Sequence, residues 1–383
     1  MASVKFAVVD VNDFLSKKQA SEPDIATAWA NLEENYNKKL WHQLTLKLLE
    51  LVNHANLQKG DNLIQLYNNF LVTFENKINP LSLIEIVAHI VKQYKDQKDA
   101  ITFLEKMEAK VKINDEALAL CKVLQGQIYL EHLNDLDATE KIIESLEGSL
   151  EDADGVTTVH GRFYKLASEY YRVRGPMGRY YRSALRYLGC SDLSSLPVQE
   201  KRGIALRLAL AAVIAPDVYD LGELLAHPIL ESLEGTADAW AVELVRTAAS
   251  GDVPGFEAVR TKANHPDLIR NERTITHKVA LLCLMEMAFK RNSAQRKLSF
   301  AEIASEARIS IDDVELLVMK ALAEKLIKGH IDQVSSQVRV SWVRPRALGR
   351  DGAAALAARV AAWRAAVGAA ADLLHRSAPD LLC

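Results

Sequence analysis

Cysteine is scarce in this chain: Cys121, Cys190, Cys283 and Cys383 lie far apart, and no C-x-x-C pair occurs among the 383 residues. Without paired spacing or a secretory leader, the pattern argues against a disulfide framework and predicts a reducing, intracellular compartment. An excess of either charge is also missing. Forty-seven Lys and Arg against fifty Asp and Glu give a formal net charge of −3, so no global positive field draws the chain toward phosphate backbones or anionic membranes. Long apolar runs are absent too. The stretch LALAAVIA at 208–215 stops at Pro216, well short of the roughly 18 to 20 residues a bilayer span needs, and no membrane crossing is expected.

The usual signatures of catalysis are equally absent. There is no H-E-x-x-H or H-x-H for metal-activated water, no G-x-x-x-x-G-K-[ST] to cradle phosphates, and no G-x-S-x-G nucleophile turn. Cys283 lies in the apolar stretch ALLCLMEMAF, where a small buried thiol is the ordinary role. Cys190 follows Gly189 with no marked base beside it, and His227 precedes Pro228 at a helix junction. Neither reads as a nucleophile or a ligand. The carboxylates show no spacing that singles out an acid–base pair. The expectation is therefore no catalytic, cofactor-binding or metal-ligating residues.

What is present is a chain of 49% hydrophobic and 25% charged residues, long enough for two or three domains with a substantial core. Leu63, Leu66, Tyr67, Phe70 and Phe74 recur at helical spacing. So do Leu83, Val87, Ile90 and Tyr94 after the break at NPLS, and Leu40, Leu44, Leu48 and Leu51 before it. Further stripes run through 99–111, 116–131 and around Phe163, Leu166, Tyr170 and Tyr171. Each predicts an amphipathic helix with one buried face. The helices come in pairs that begin near Thr27, Asp61, Gln97 and Asn134. Such a period suits stacked helical hairpins. From 197 to 291 helices continue, punctuated by Pro216, HP at 227–228, SGDVPG at 250–255 and NHP at 264–266. The first 25 residues read as a weakly patterned leader, expected to be partly mobile.

Residues 298–342 change character. Ser299 with Glu302, and Ser310 with Asp313, each fit the Ser-x-x-acid capping box that opens a helix. After the second helix, GHIDQV and QVRVSW flank Ser335 and Ser336, and Val338, Val340 and Trp342 alternate with Gln337, Arg339 and Ser341. That predicts a half-buried hairpin. Helix, turn, helix and two-stranded wing make a winged helix, at about 296–345. Its second helix is not built to read DNA: Asp312, Asp313 and Glu315 in the opening turns would repel phosphates. Val314, Val318 and Leu322, widened by Leu316, Met319, Ala323 and Ile327, predict burial against protein on more than one side. Lys290, Arg291, Arg296, Lys297 and Arg339 read as solvated loop charge rather than a phosphate patch. Beyond the basic linker RPRALGRDG, residues 353–376 are rich in alanine, with Leu356, Val360, Trp363, Val367, Ala370 and Leu374 in alternating steps of four and three. That is the seam of a helix packed in a bundle. A partner helix is favoured as its cover over the chain's own body.

Stacked hairpins, a winged helix and a terminal seam together resemble a PCI subunit, the scaffold type shared by the proteasome lid, the signalosome and translation initiation factor 3. The likeness is carried by KKLWHQLTLKLLELV (38–52), NPLSLIEIVAHIV (79–91), YYRSALRYLGC (180–190), GELLAHPILESL (222–233) and DDVELLVMKALAEKLIKGHIDQVSSQVRVSWVRPR (312–346). These runs resemble those of a lid subunit of the proteasome, and the resemblance extends over most of the chain from about residue 26.

The resemblance implies a mostly α fold: a TPR-like repeat solenoid over 26–195, a PCI region over 196–345, and a linker with an interaction helix over 346–383. It implies a noncatalytic scaffold in a hetero-oligomer, cytoplasmic and nuclear, supporting ATP- and ubiquitin-dependent degradation. Its partners would be neighbouring PCI lid subunits, the MPN pair containing the deubiquitinase, and a ubiquitin receptor; no nucleic acid and no membrane. The wing edge would be Ile331, Val338, Val340 and Trp342, and the bundle seam Leu356, Val360, Trp363, Val367 and Leu374. Signalosome or initiation-factor membership is the nearest alternative, and a DNA-binding regulator a distant one.

Overall fold

A computed structural model describes residues 11–21, 25–54, 56–58, 60–152, 155–192, 194, 196–291, 296–347 and 349–377. The chain forms two compact units, one of Met1–Gly175 with Arg186–Ser191, the other of Pro176–Leu185 with Asp192–Cys383.

The first unit opens with α1 (Val11–Ser21), α2 (Ala26–Asn37), α3 (Trp41–Val52) and α4 (Asn62–Asn69). It continues through α5 (Pro80–Val91), α6 (Gln97–Val111), α7 (Asp115–Ile128), α8 (Leu136–Glu151) and α9 (Thr158–Arg174). Many of these starts are written in side chains. Asn79, Asp96, Asn114 and Asp135 each accept a hydrogen bond from an amide in the first turn of α5, α6, α7 and α8, and Pro80 occupies a position whose N–H has no helical partner anyway. Helices pair in sequence, α2 with α3, α6 with α7 and α8 with α9, burying the stripes that the periodicity marks.

Two features depart from expectation. The leader holds a helix: α1 packs on α2 and buries Phe14 and Leu15, while residues 1–10 and 22–24 of that leader lie outside the described residues. The stripe from Leu63 to Phe74 is also not one helix. Helix α4 ends at Asn69, and the chain continues in 3-10 turns over Leu71–Thr73 and Glu75–Lys77. Phe70 and Phe74 stay fully buried because they close an aromatic cluster with Tyr36, at centroid distances of 5.5, 5.8 and 4.9 Å. The backbone there keeps tighter i to i+3 hydrogen bonds, Thr73 to Phe70 and Phe74 to Leu71, while the rings pack together.

Helix α10 (Met177–Cys190) is divided, its residues up to Leu185 counted with the second unit and those from Arg186 with the first. The second unit continues with α11 (Val198–Ile214), α12 (Gly222–Ala226), α13 (Trp240–Ser250), α14 (Val253–Ala263), α15 (Pro266–Arg270) and α16 (Glu272–Lys290). Helices α11, α13 and α16 pack together through Ala205, Leu208, Leu244, Val245, Leu281 and Leu284, all essentially inaccessible. Then come β1 (Lys297–Ser299), α17 (Phe300–Ala307), α18 (Ile311–Ala323), β2 (Ile327–Asp332), β3 (Gln337–Val343) and α19 (Arg350–Ser377). The fold is mostly α, helical repeats followed by a winged helix.

The sheet has three antiparallel strands in the order β1-β3-β2, one more than the sequence predicts, because three residues are too few to show alternation. Ser299 and Glu302 form the full capping box of α17. At α18 the prediction is half met: Ser310 accepts from the amide of Asp312 at 3.4 Å, and Asp313 does not reach back.

Candidate protein interface

The winged helix positions the first group of predicted interface residues. β3 is the central strand, so β2 forms one free edge of the sheet. Val338 and Val340 are 1% exposed and belong to the domain's own core beneath the wing. Ile331, on β2, is partly exposed. Trp342 points the other way from the valines, at 37% exposed, with Lys328 Nζ 5.0 Å from its ring centre.

Simple alternation would put Trp342 on the face of Val338 and Val340. The register prevents it: Lys328 pairs with Trp342 but Gly329 pairs with Val340, leaving Ser341 as the extra residue of a bulge. Val343 faces inward in Trp342's stead. A side chain at Gly329 would meet the Arg339 carbonyl oxygen at 2.2 Å, so glycine is what lets the strands close at this point. Of the predicted wing residues, the structure therefore leaves Ile331 and Trp342 on the surface, with Val334 fully exposed at the hairpin tip.

The expectation that α18 is buried on more than one side is not met within the chain. Val314, Leu317, Val318 and Ala321 face the core, whereas Ile311, Leu316 and Met319 are about half exposed or more, beside the exposed Asp312 and Asp313. The basic loop is largely engaged: Arg291 meets Glu302 at 3.3 Å, Arg296 Nε donates to the Arg291 carbonyl, and Lys290 lies 3.7 Å from Glu286.

The linker ahead of α19 is tied to the second unit. Arg346 is clamped to Glu286 at 2.5 Å, the amide of Arg344 donates to the Leu326 carbonyl, and the amide of Ala347 donates to Asp220. Past that anchorage α19 stands alone. Every side chain from 353 to 377 is exposed. Leu356, Val360, Val367 and Leu374 are about half exposed, Trp363 is 71% exposed, and Leu373 adds a further apolar residue.

By length and composition Gly352–Ser377 also reaches the range of a membrane span, contrary to the expectation drawn from the lack of unbroken apolar runs. Alanine supplies most of that hydropathy. Apart from Leu373, the large apolar side chains keep to one stripe, and Arg359 and Arg364 would each cost about 2.5 to 3.5 kcal/mol near a bilayer centre. The pattern suits a protein-covered seam better than lipid. Among the described residues, no cluster of His, Cys, Asp and Glu is arranged to hold a metal ion.

Helical hairpins running into a winged helix, with an uncovered terminal helix, define a PCI-type subunit of a larger assembly. Two family models match accordingly, one described as PSD13 N-terminal repeats over residues 28–245 and one as the PCI domain over 258–342. The 26S proteasome non-ATPase regulatory subunit 13 homolog B of Arabidopsis thaliana is 35% identical over 381 residues, covering 96% of this chain and 98% of the relative. The corresponding subunit 13 of Dictyostelium discoideum is 30% identical over 380 residues, covering 97% and 98%. The chain belongs to the family of 26S proteasome non-ATPase regulatory subunit 13. The likeness to initiation factors is narrower: translation initiation factor 3 subunit M of Aspergillus terreus is 26% identical over 186 residues, covering 47% of this chain and 39% of the relative.

Proposed function

We propose that this chain is a noncatalytic scaffold subunit of the proteasome regulatory particle lid, and that it supports assembly and ATP- and ubiquitin-dependent degradation in cytoplasm and nucleus. Its partners are neighbouring PCI lid subunits, the MPN pair with the deubiquitinase, and a ubiquitin receptor. The working division is a repeat region over 26–195, a PCI region over 196–345 and an interaction segment over 346–383. One contact surface is the free β2 edge, with Ile331 and Trp342 accessible beside it and Val338 and Val340 supporting the wing from within. The other is the α19 seam.

The observation that carries this reading is the seam itself. Leu356, Val360, Trp363, Val367 and Leu374 stand in solvent on one face of a 28-residue helix. An exposed apolar stripe of this kind marks a surface for another protein, and each anchor is worth about 1.5 to 3 kcal/mol on burial, before ordering is subtracted. Trp363→Asp should abolish or strongly weaken co-purification with the lid while leaving the circular dichroism and thermal midpoint of the isolated chain unchanged. A mutant that still enters the lid at the wild-type level refutes the assignment of the seam.

A further inference from the structure

A second surface of the second unit, separate from the wing edge and from α19, has the chemistry of a peptide site. It is a groove of about 400 Å³, within the size range of ligand clefts, between α16, α18 and the turn after α11. Helix α16 contributes Arg273, His277 and Leu281 at successive i, i+4 steps, and α18 contributes Leu316 and Lys320 at the same spacing. Pro216 and Tyr219 close the third side. Lys278 lies at the floor, but its ammonium is committed to the carbonyls of Ala212 and Ala215.

Three features point to an occupant. First, neither Arg273 nor Lys320 forms an ion pair with a carboxylate among the described residues, and no carboxylate lines the groove. The acids closest by their electrostatic effect are Asp217, which Arg182 engages, and Glu324, which acts on Tyr219. Second, His277, a lining residue, has its Nε2 buried without a hydrogen-bond partner, an arrangement that costs stability in the free chain. Third, the walls formed by Pro216, Tyr219, Leu281 and Leu316 are apolar, and the Leu316 side continues into exposed Met319. A bare phosphate would use the cations and leave those walls wet. A carboxylate next to a large apolar side chain would use both.

We infer that this groove docks an acidic–apolar peptide segment of a partner protein, with a carboxylate between Arg273 and Lys320 and an adjacent Leu or Phe side chain against Leu316 and Tyr219. The inference rests on this groove alone, so it stands or falls separately from the lid assignment.

Fluorescence anisotropy of the full chain with a fluorescein-labelled peptide of repeating Glu-Leu-Glu-Phe tests it. Saturable binding is expected, weakening as salt rises from about 0.05 to 0.3 M. Arg273→Gln and Lys320→Gln should each reduce affinity about tenfold, equivalent to about 1.4 kcal/mol, and Leu316→Asp should abolish binding. All three positions are exposed, so circular dichroism should not change. The proposal is overturned if the peptide does not bind, if a Gln-for-Glu version binds equally well, or if the three variants bind as tightly as wild type. It is also overturned if tripolyphosphate binds at the groove while the peptide does not.

Discussion

Lys278 shows how much a single side chain can depend on residues far from it in sequence. It is 3% exposed, and its Nζ donates to the carbonyls of Ala212 at 2.5 Å and Ala215 at 2.6 Å, closing the C-terminal end of α11. Burial lowers its pKa from the ordinary 10.5 to about 7, with Asp217 opposing the shift. Between those two values the unfolded chain holds the proton that the folded chain has released, so folding stability rises with pH across that window. Below about pH 7 both states are protonated and the penalty is fully present. Relative to Lys278→Met, the wild type should therefore gain about 1 kcal/mol per pH unit between pH 7.5 and 9.5 in urea unfolding. A flat difference would mean that the two carbonyls keep the ammonium charged. Nothing local in the sequence marks Lys278 as special, because its partners lie 66 and 63 residues upstream. Gly251 is a similar case. It ends α13 at φ +69°, and a Cβ there would come within 2.7 Å of the Cys283 backbone, whereas Gly60 at φ +67° faces open space. Gly60→Ala should cost about 1 kcal/mol of stability from backbone strain alone. Gly251→Ala should cost at least about 2 kcal/mol, because strain and a backbone collision add. Equal losses in thermal or urea unfolding would remove the packing argument.

At the scale of elements, the legible features are those whose chemistry is local. The capping box of Ser299 and Glu302 is complete within four residues and is found as the sequence predicts, with the Ser299 side chain accepting from the Glu302 amide at 3.3 Å and the Glu302 carboxylate accepting from the Ser299 amide at 3.1 Å. Ser299→Ala should destabilise the winged helix by about 0.5 to 2 kcal/mol, and Ser310→Ala by less, since Ser310 makes one long bond of 3.4 Å. Similar losses at both sites in urea unfolding would show that the two Ser side-chain bonds are worth the same, since Ser299→Ala leaves the backbone amide that donates to Glu302 in place. The illegible features are those set by a neighbour across space. The bulge that turns Trp342 outward arises in the pairing of β3 with β2, not in the run QVRVSW. The end of α4 before Phe70 reflects ring packing with Tyr36. For α18 the sequence reports its apolar content correctly, but content alone does not say which side its own domain covers.

For the molecule as a whole, periodicity suffices to read repeats followed by a winged helix, because each helix advertises its buried stripe independently of its neighbours. What covers α19 is not legible in the same way: steps of four and three suit an internal docking site as well as a partner helix, and the sequence favours the partner only because the domain before it already reads as complete. In the structure the side chains of 353–377 are exposed throughout, which favours the partner helix. This has a kinetic consequence. An alanine-rich helix of 28 residues holds together only by its own hydrogen bonds, with propagation constants near 1 to 1.6 per residue, so its opening free energy lies near zero. Helix α16, with Ile275, Val279, Leu282 and Met285 fully enclosed, opens only with the whole unit. In hydrogen exchange on the free chain, at concentrations where sedimentation shows a monomer, amides of 353–377 should exchange at least about 100-fold faster than those of 275–288. Incorporation into the lid should slow the α19 amides toward the rates of α16, since covering the seam couples their opening to loss of the interface. Slow exchange of α19 in the free monomer would mean that the seam is already docked on its own chain, and the terminal helix would then have no face left to offer a neighbour.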